Sequence, residues 1–175
     1  MIRGERIDLR PVTEADLDQL EAWAGDPDYH GEFNTFALNR PGDVRRAFAA
    51  HGFLADDHGR LLIVTKAGEL AGDVSYRPVN HGPGVSNRVP EIGITVAPAQ
   101  RGQGHGAVAQ RLLAAYLFST SAIARVQATT DVTNVAEQRA LERAGFTREG
   151  ILRRAQFRAG TWHDLVMYSK LRGEP

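Results

Sequence analysis

The stretch GITVAPAQRGQGHG, residues 93–106, joins an apolar run to three glycines at alternate positions. The run EIGITV, residues 91–96, has the pattern of a buried strand, and apolar residues recur at helical spacing after the glycines. We therefore predict a strand, a glycine loop and a helix in direct succession. Glycine has no Cβ, so a ligand can approach the main chain, and the free N–H groups at a helix N-terminus favour an anion.

The residues alone suggest three interpretations of this loop. A nucleotide P-loop is excluded, because the run from His105 to Ala107 stands where Lys and Ser or Thr are required. The dinucleotide fingerprint is formally matched by Gly102, Gly104 and Ala107, with Asp131 at the distance of a ribose contact, but too few strand–helix units follow it. A tight turn alone is disfavoured, because alternate glycines are costly in backbone entropy.

The composition is that of one globular domain over residues 1–175, with 42% hydrophobic and 24% charged residues. Lys+Arg and Asp+Glu are equal at 21 each, so no basic surplus recruits nucleic acid or a membrane surface. The lack of cysteine excludes disulfides, Cys-based zinc sites and a Cys nucleophile. With no apolar signal core and no apolar run near about 18 residues, we expect a soluble cytoplasmic protein.

Periodicity and turn residues predict the element order β-α-α-β-β-β-α-β-α-β-β, a mixed α/β single domain. Helix starts are predicted at Thr13, Pro41 and Asn134, and a hairpin turn at Ala159-Gly160. The segments 28–40 and 79–90 are predicted as loops. The strands are predicted at residues 6–11, 61–65, 70–78, 91–96, 125–130, 147–157 and 162–171.

Four blocks together resemble the GNAT acetyltransferases. Arg101 to Gly106 fits the motif R/Q-x-x-G-x-G/A, whose backbone N–H groups wrap the pyrophosphate of coenzyme A in that family. NVAEQRALERAGF, residues 134–146, is similar to the family's asparagine-led helix. The opening at residues 6–23 and the last strands at residues 145–171 resemble the RimJ/RimL-type branch. The resemblance covers most of the chain except roughly residues 28–60.

The resemblance implies an α/β (α+β) single domain with a mixed, mostly antiparallel twisted sheet. The sheet would be splayed at a β-bulge in the strand before the glycine loop and flanked by helices. The implied activity is transfer of acetyl from acetyl-CoA, without a metal, to a primary amine of a small molecule or a protein N-terminus. No nucleic acid or membrane partner is implied, and a homodimer stays open.

The resemblance also assigns the cofactor site, along the glycine loop and the strand before it. The pyrophosphate would lie on the N–H groups of the loop, and the pantetheine arm would pair with the strand, where the Val96 N–H would donate to the thioester oxygen. Asn134 would contact the pantetheine, or it is only a helix N-cap paired with Glu137. Arg101 either braces the loop or pairs with a phosphate. The implied residues are Ile94, Thr95, Val96, Arg101, Gly102, Gln103, Gly104, His105, Gly106, Ala107 and Asn134.

A carboxylate is needed because an alkyl amine, with a pKa of about 10, is protonated at neutral pH. Glu91 is the predicted base, since it begins the strand that would carry the thioester; the alternative is a solvated strand-end charge. Weaker candidates are Glu32, Asp73 and Asp131, with His81 and His163 as further options.

The family's usual acids are missing from this chain. The tyrosine position is Leu141, and the serine position of RimL-like relatives is Glu137. Water could protonate the thiolate, or the domain could be a coenzyme-A-binding regulatory protein without efficient transfer. We expect segments 28–60 and 78–90 to form the acceptor wall. The side chains there that would suit a cationic amine are Asp28, Glu32, Phe33, Phe36, His51, Asp56, Asp57, His58 and His81.

Overall fold

Eight strands form one sheet in the order β1-β2-β3-β4-β5-β6-β8-β7, and only β5 and β6 run parallel to each other. The computed structural model describes residues 1–34 and 40–174. The predicted mixed, mostly antiparallel sheet is confirmed. The strands are Ile2–Arg3 (β1), Ile7–Pro11 (β2), Gly59–Thr65 (β3), Leu70–Asn80 (β4), Arg88–Val96 (β5), Arg125–Asp131 (β6), Thr147–Arg158 (β7) and Thr161–Leu171 (β8).

The helices flank this sheet in the predicted order, with short α2 as an addition inside the predicted loop 28–40. Asp26 caps α2, since its side chain accepts a hydrogen bond from the Asp28 N–H at 2.9 Å. No helix in the described part of the chain is long and apolar enough to cross a membrane. The helices are Leu17–Ala24 (α1), Pro27–His30 (α2), Asp43–His51 (α3), His105–Thr120 (α4) and Val135–Arg143 (α5).

The boundaries of two predicted elements are wrong. Helix α3 begins at Asp43 and not at Pro41, because Gly42 adopts a left-handed conformation before it. The loop predicted at residues 79–90 is shorter in the structure at both ends, since β4 and β5 stay paired up to Asn80 opposite Arg88. The sequence interpretation took prolines as strand ends, whereas the ladder continues past both of the prolines that it contains.

Two apolar clusters cover the two faces of the sheet. Leu61 and Ile63 belong to a cluster with α4 and α5, and Leu62 between them belongs to a cluster with α1, α2 and α3. Successive side chains of a strand point to opposite faces, so the two clusters lie on opposite sides of β3. The predicted flanking of the sheet by helices is therefore confirmed.

Strands β5 and β6 separate almost as soon as they meet. Their parallel pairing consists of Glu91 opposite Gln127. The register of β4 with β5 runs without a shift from Gly72 opposite Val96 to Arg88, so the bulge predicted in β5 does not show in this ladder. Register shifts occur in the β3–β4 and β7–β8 ladders instead. The predicted splay is confirmed, and it arises from the divergence of two strands.

Gly72 makes the close approach that holds β5 against β4. A Cβ at Gly72, whose φ is +142°, would lie 2.1 Å from the carbonyl oxygen of Thr95. We expect Gly72→Ala to lower the free energy of unfolding by about 3 kcal/mol, because an inserted methyl forces backbone to move. Gly68→Ala is the control, since Gly68 has φ +87° but open space around its Cβ position. It should cost only about 1 kcal/mol from backbone strain. Urea unfolding measures both, and equal losses would contradict the steric argument.

Candidate active site

A cleft of about 510 Å³ lies between the segment after α2, the end of β5, the glycine loop and α5. Gln103 is not among its lining residues; this side chain is exposed and donates to the Ala99 carbonyl at 3.3 Å. The other residues expected at the cofactor site line the cleft: Ile94, Thr95, Val96, Arg101, Gly102, Gly104, His105, Gly106, Ala107 and Asn134.

The glycine loop needs glycine for its backbone shape. Gly102 and Gly104 have φ of +74° and +80°. A Cβ at Gly102 would meet no atom within 4 Å, and one at Gly104 would meet only Arg6, at 3.5 Å. Gly104 is the N-cap of α4, so no side chain caps the first turn of the helix, and that turn holds no acidic residue. The free N–H groups of α4 thus create a site for an anion at the cleft.

Arg101 fastens the loop to its surroundings. Its Nε donates to the Val96 carbonyl at 3.0 Å, and its Nη2 donates to the carbonyls of Asp28 and Tyr29 at 2.7 and 3.0 Å. These bonds show Arg101 bracing the loop, and a contact with a phosphate stays a prediction. Through them Arg101 ties α2 to the end of β5.

His105 is the first residue of α4 and is 7% exposed. Both ring nitrogens are buried without a hydrogen-bond partner among the described residues. Burial, and then the charge of Arg6, lower the pKa of this imidazole. A neutral ring at this position leaves the attraction for an anion to the backbone N–H groups.

Asn134 acts as the N-cap of α5, because its Oδ1 accepts the Glu137 N–H at 3.2 Å. The expected pair also requires the Glu137 side chain to accept the backbone N–H of Asn134. This part of the prediction is wrong, since that N–H donates to the Asp131 carbonyl at 2.9 Å. Asn134 also lines the cleft. A capping role and a ligand contact are therefore compatible in one side chain.

A smaller cavity of about 120 Å³ lies where β5 and β6 diverge. Residues 92–94 of β5 and residues 128–131 of β6 form two of its sides. Its lining overlaps with that of the cleft, so the two spaces adjoin. The shared residues are Phe33, Asn34, Ile94, Asn134 and Glu137.

The sequence places Glu137 at the serine position of RimL-like relatives and as a capping partner of Asn134, but it does not predict its place at this overlap. The sequence feature that could have indicated this place is the spacing of Glu137, which lies three residues after Asn134 in the first turn of α5. The residue is partly exposed toward the cleft. Burial of its carboxyl raises the pKa to about 8, and a hydrogen bond from the Gln110 side chain offsets part of that rise. A pKa of about 8 favours the protonated carboxyl at neutral pH.

Two weaker base candidates are engaged in structural networks. Asp73 accepts a hydrogen bond from the Tyr29 hydroxyl at 2.5 Å and pairs with Arg60 through two bonds of 2.9 Å. Asp131 pairs with buried Arg158 at 2.6 Å and with His163 at 2.9 Å. These networks occupy both carboxylates, and they also account for His163.

Glu91 lies at the last contact of β5 with β6. Its Oε1 accepts from Arg77 at 2.5 Å and its Oε2 from the Gln127 amide at 3.1 Å. His81, the other histidine considered, is 2.8 Å from the Gln127 Oε1. Glu91 is not among the lining residues of either cavity. Its role as the base stays a prediction.

The expected acceptor wall is present only in part. Residues 29–34 line the cleft, and within them Phe33 also lines the smaller cavity. Asp57 pairs instead with His58 at 2.9 Å and Arg88 at 3.2 Å, away from both lining sets. Phe36 lies outside the described residues. Leu141, at the family's tyrosine position, is 0% exposed in the apolar core.

Two acetyltransferases of known structure have the same fold as this chain. A spermidine N-acetyltransferase from Vibrio cholerae, in complex with CoA and spermine, superposes with a TM-score of 0.82 at 18% identity, over 98% of each chain. RimL, a ribosomal L7/L12 alpha-N-protein acetyltransferase in complex with coenzyme A, gives 0.79 at 20% identity, over 97% of each chain. At these identities the likeness establishes the fold.

The family follows from the sequence match. The acetyltransferase (GNAT) domain matches residues 6–147, so the chain belongs to the GNAT acetyltransferase family. The uncharacterized N-acetyltransferase YoaA of Bacillus subtilis is 25% identical over 174 residues, which cover 97% of this chain and 95% of that protein. The family resemblance carried by the glycine loop is thereby confirmed.

The Asp131–Arg158 pair gives a test of how the site is held together. Burial alone would raise the pKa of Asp131, but hydrogen bonds from Thr133 and the charge of Arg158 lower it to about 2. We expect Asp131→Asn to cost about 3–5 kcal/mol at pH 7, because it leaves the buried Arg158 charge without a counter-ion. Because folding lowers the pKa of Asp131, its carboxylate stabilises the fold at pH values above the unfolded pKa of 3.8. This stability is lost as the pH falls toward 2.

Thermal unfolding at pH 7 and at pH 3 to 2 measures this effect. The difference between wild type and Asp131→Asn should narrow at the lower pH, where the wild-type carboxylate becomes protonated. Asp57→Asn is the control, because its ion pairs are exposed, and its melting temperature should change little. A difference between wild type and Asp131→Asn that stays constant with pH would contradict the argument.

Proposed function

We propose that the protein is an acetyl-CoA-dependent N-acetyltransferase of the RimJ/RimL-like branch. It moves acetyl to a primary amine of a small molecule or a protein N-terminus by direct attack on the thioester. The observation that carries the proposal is the uncapped N-terminus of α4, which lies at a cleft that adjoins the space between diverging β5 and β6.

The cleft offers a consistent place for coenzyme A. The pyrophosphate would lie on the N–H groups of the loop from Arg101 to Ala107, where helix N-terminus and glycine backbone favour a phosphate. The pantetheine arm would follow Ile94 to Val96, which lie beyond the last β5–β6 pair and line the cleft. The Val96 N–H would donate to the thioester oxygen, and Asn134 would contact the arm. A preorganised donor at that oxygen stabilises the charge that develops during transfer.

The smaller cavity is the proposed place for the acceptor amine. It lies on the β6 side of the overlap, whereas the glycine loop lies on the other side, so donor and acceptor would meet between the splayed strands. Amine acceptors are in keeping with the solved neighbours, one of which acts on spermidine and the other on a ribosomal protein N-terminus. Holding both reactants in one place removes most of the entropic cost of their encounter.

A coenzyme-A-binding regulatory domain is the second candidate. It is favoured by Leu141, which is fully buried and leaves no tyrosine hydroxyl at the family's acid position. Release of thiol on mixing the protein with acetyl-CoA and a panel of amines separates the two functions. Binding of acetyl-CoA without amine-dependent thiol release would establish the regulatory domain.

Gly104→Glu tests the anion site. We expect it to abolish acetyl-CoA binding, because a carboxylate in the loop would fill the phosphate site and repel the pyrophosphate. Gly104→Ala is the matched control: it imposes the same strain at φ +80° without the charge and should retain binding, although it weakens it. Isothermal calorimetry measures the affinity, and circular dichroism confirms the fold. Equal affinities for Gly104→Glu and wild type would end the coenzyme A proposal.

The predicted base is tested by Glu91→Gln. Glutamine keeps the size of the side chain and can still bond to its neighbours, but it cannot take the ammonium proton. If Glu91 is the base, we expect kcat/KM for the amine to fall by about 10²-fold with nearly unchanged acetyl-CoA affinity. Steady-state kinetics against pH measures this. A wild-type rate and pH profile would assign Glu91 a structural role as the partner of Arg77.

A further inference from the structure

Glu137 is the residue of interest at the overlap of the two cavities. Among the described residues that line both, which are Phe33, Asn34, Ile94, Asn134 and Glu137, only Glu137 has a side chain that titrates. The place where thioester and amine would meet under the proposed function therefore contains one group able to hold and release a proton. This inference rests on that proposed function.

Glu137 has neighbours on two helices. Its backbone N–H donates to the Asn134 Oδ1 at the start of α5 at 3.2 Å, and the Gln110 side chain of α4 lies near enough to its carboxyl to lower the pKa of that group. Gln110 is 1% exposed, and its Nε2 also lies 3.3 Å from the Gly106 carbonyl of the glycine loop. The carboxyl is thus held relative to the loop that would carry the cofactor.

The charge around the Glu137 carboxyl is unlike that around buried Asp131 and Asp73. Those two acids each have an arginine within 3 Å, whereas Glu137 forms no ion pair with the described residues and has the neutral Gln110 amide nearby. The acids that line the cavities with it are Glu32 and Asp131. The basic residues that line the cleft are His30, Arg101, His105, Arg139 and Arg143. Burial without an ion-pair partner favours the neutral, protonated carboxyl.

We propose that the Glu137 carboxyl is the general acid that protonates the leaving sulfur. The acceptor nitrogen forms a bond to the acetyl carbonyl carbon while the carbon–sulfur bond breaks. The sulfur takes the proton from Glu137, and coenzyme A leaves as the thiol. The nitrogen then gives its surplus proton to the Glu137 carboxylate, so the acid is restored and one proton has moved from nitrogen to sulfur.

This role accounts for two departures of the chain from its family's pattern. The tyrosine position is occupied by core residue Leu141, and the serine position by Glu137 itself. A carboxylic acid held neutral at pH 7 can donate a proton, as a hydroxyl does, and it is a stronger donor than either hydroxyl. A proton donor is therefore present at the serine position, one helical turn before the tyrosine position.

The first test measures the carboxyl without turnover. Carbon-13 NMR of protein labelled at glutamate, assigned by loss of the signal in Glu137→Gln, should show Glu137 titrating at about pH 8 in the free protein. Glu137→Asp supplies the same assignment if Glu137→Gln does not fold. Coenzyme A should shift this signal, and desulfo-coenzyme A, which lacks the sulfur, should leave it nearly unchanged. An ordinary titration near about pH 4.3, or equal responses to both ligands, would overturn the proposal.

The second test is kinetic. With saturating acetyl-CoA and amine, wild-type kcat should fall as pH rises above about 8, because the acid loses its proton. Glu137→Gln should lower kcat by about 10²-fold, lose this high-pH fall and keep coenzyme A affinity within about twofold. Glu142→Gln is the matched control, since Glu142 is on the same helix, bonds to the Tyr168 hydroxyl at 3.1 Å and is not among the residues that line the cavities. It should keep both rate and profile.

The outcomes distinguish this inference from the proposed function. If wild type does not bind acetyl-CoA, the proposed function fails, and the assignment of Glu137 as its general acid fails with it. If wild type transfers acetyl but Glu137→Gln keeps its kcat and its high-pH fall, only the assignment of Glu137 fails. A Glu91→Gln variant that loses the high-pH fall, while Glu137→Gln retains it, would assign the acid to Glu91 instead.

Discussion

The divergence of β5 from β6 is the constraint on which the site depends. Backbone N–H and C=O groups need partners, and a strand inside a sheet normally finds them on both sides. Here β5 is fully paired with β4 but has one ladder pair with β6, Glu91 opposite Gln127, while β6 is held on its other side by seven pairs with β8. Each strand is therefore stabilised by one neighbour. The facing edges are left free for a ligand, and both cavities lie along the opening.

The divergence is maintained by contacts outside the two strands. Gly72 allows β4 and β5 to approach closely near Thr95, so the ladder continues to the end of β5 that leads into the glycine loop. Arg101 then joins this end to α2, and Tyr29 of α2 is anchored through Asp73 to Arg60 on β3. One wall of the cleft is thus connected to the centre of the sheet by side-chain hydrogen bonds. Such contacts hold a concave site open without filling it.

Three acids in and around the site show how environment assigns roles to one chemical group. Asp73 and Asp131 are buried and each pairs with an arginine, which suits them to holding strands and loops in place. Glu137 forms no ion pair with an arginine among the described residues, and burial raises the pKa of its carboxyl to about 8, which favours the protonated form at pH 7. Desolvation raises the pKa of an acid and a nearby cation lowers it, and the balance decides whether the group can donate a proton.

The sequence by itself determined the family, the order of the elements other than β1 and α2, and the residues of the glycine loop. These follow from local rules, because periodicity, capping residues and glycine spacing act within one segment of chain. The hairpin turn at Ala159-Gly160 and the N-cap at Asn134 were predictable for the same reason. Short α2 was missed, although Asp26 and Pro27 carried its signal, because one turn of helix has no apolar period.

Only the tertiary structure decided which acid faces the site. Glu91 and Glu137 are 46 positions apart, and no local sequence pattern shows which of them faces the site. In the structure Glu91 is paired with Arg77 at the contact of β5 with β6, whereas Glu137 lines both cavities. The protonation state of each depends on the cations and the solvent that segments distant along the chain bring near it. Such proximity is set by the packing of β4, β6, α4 and α5 together, and no local pattern encodes it.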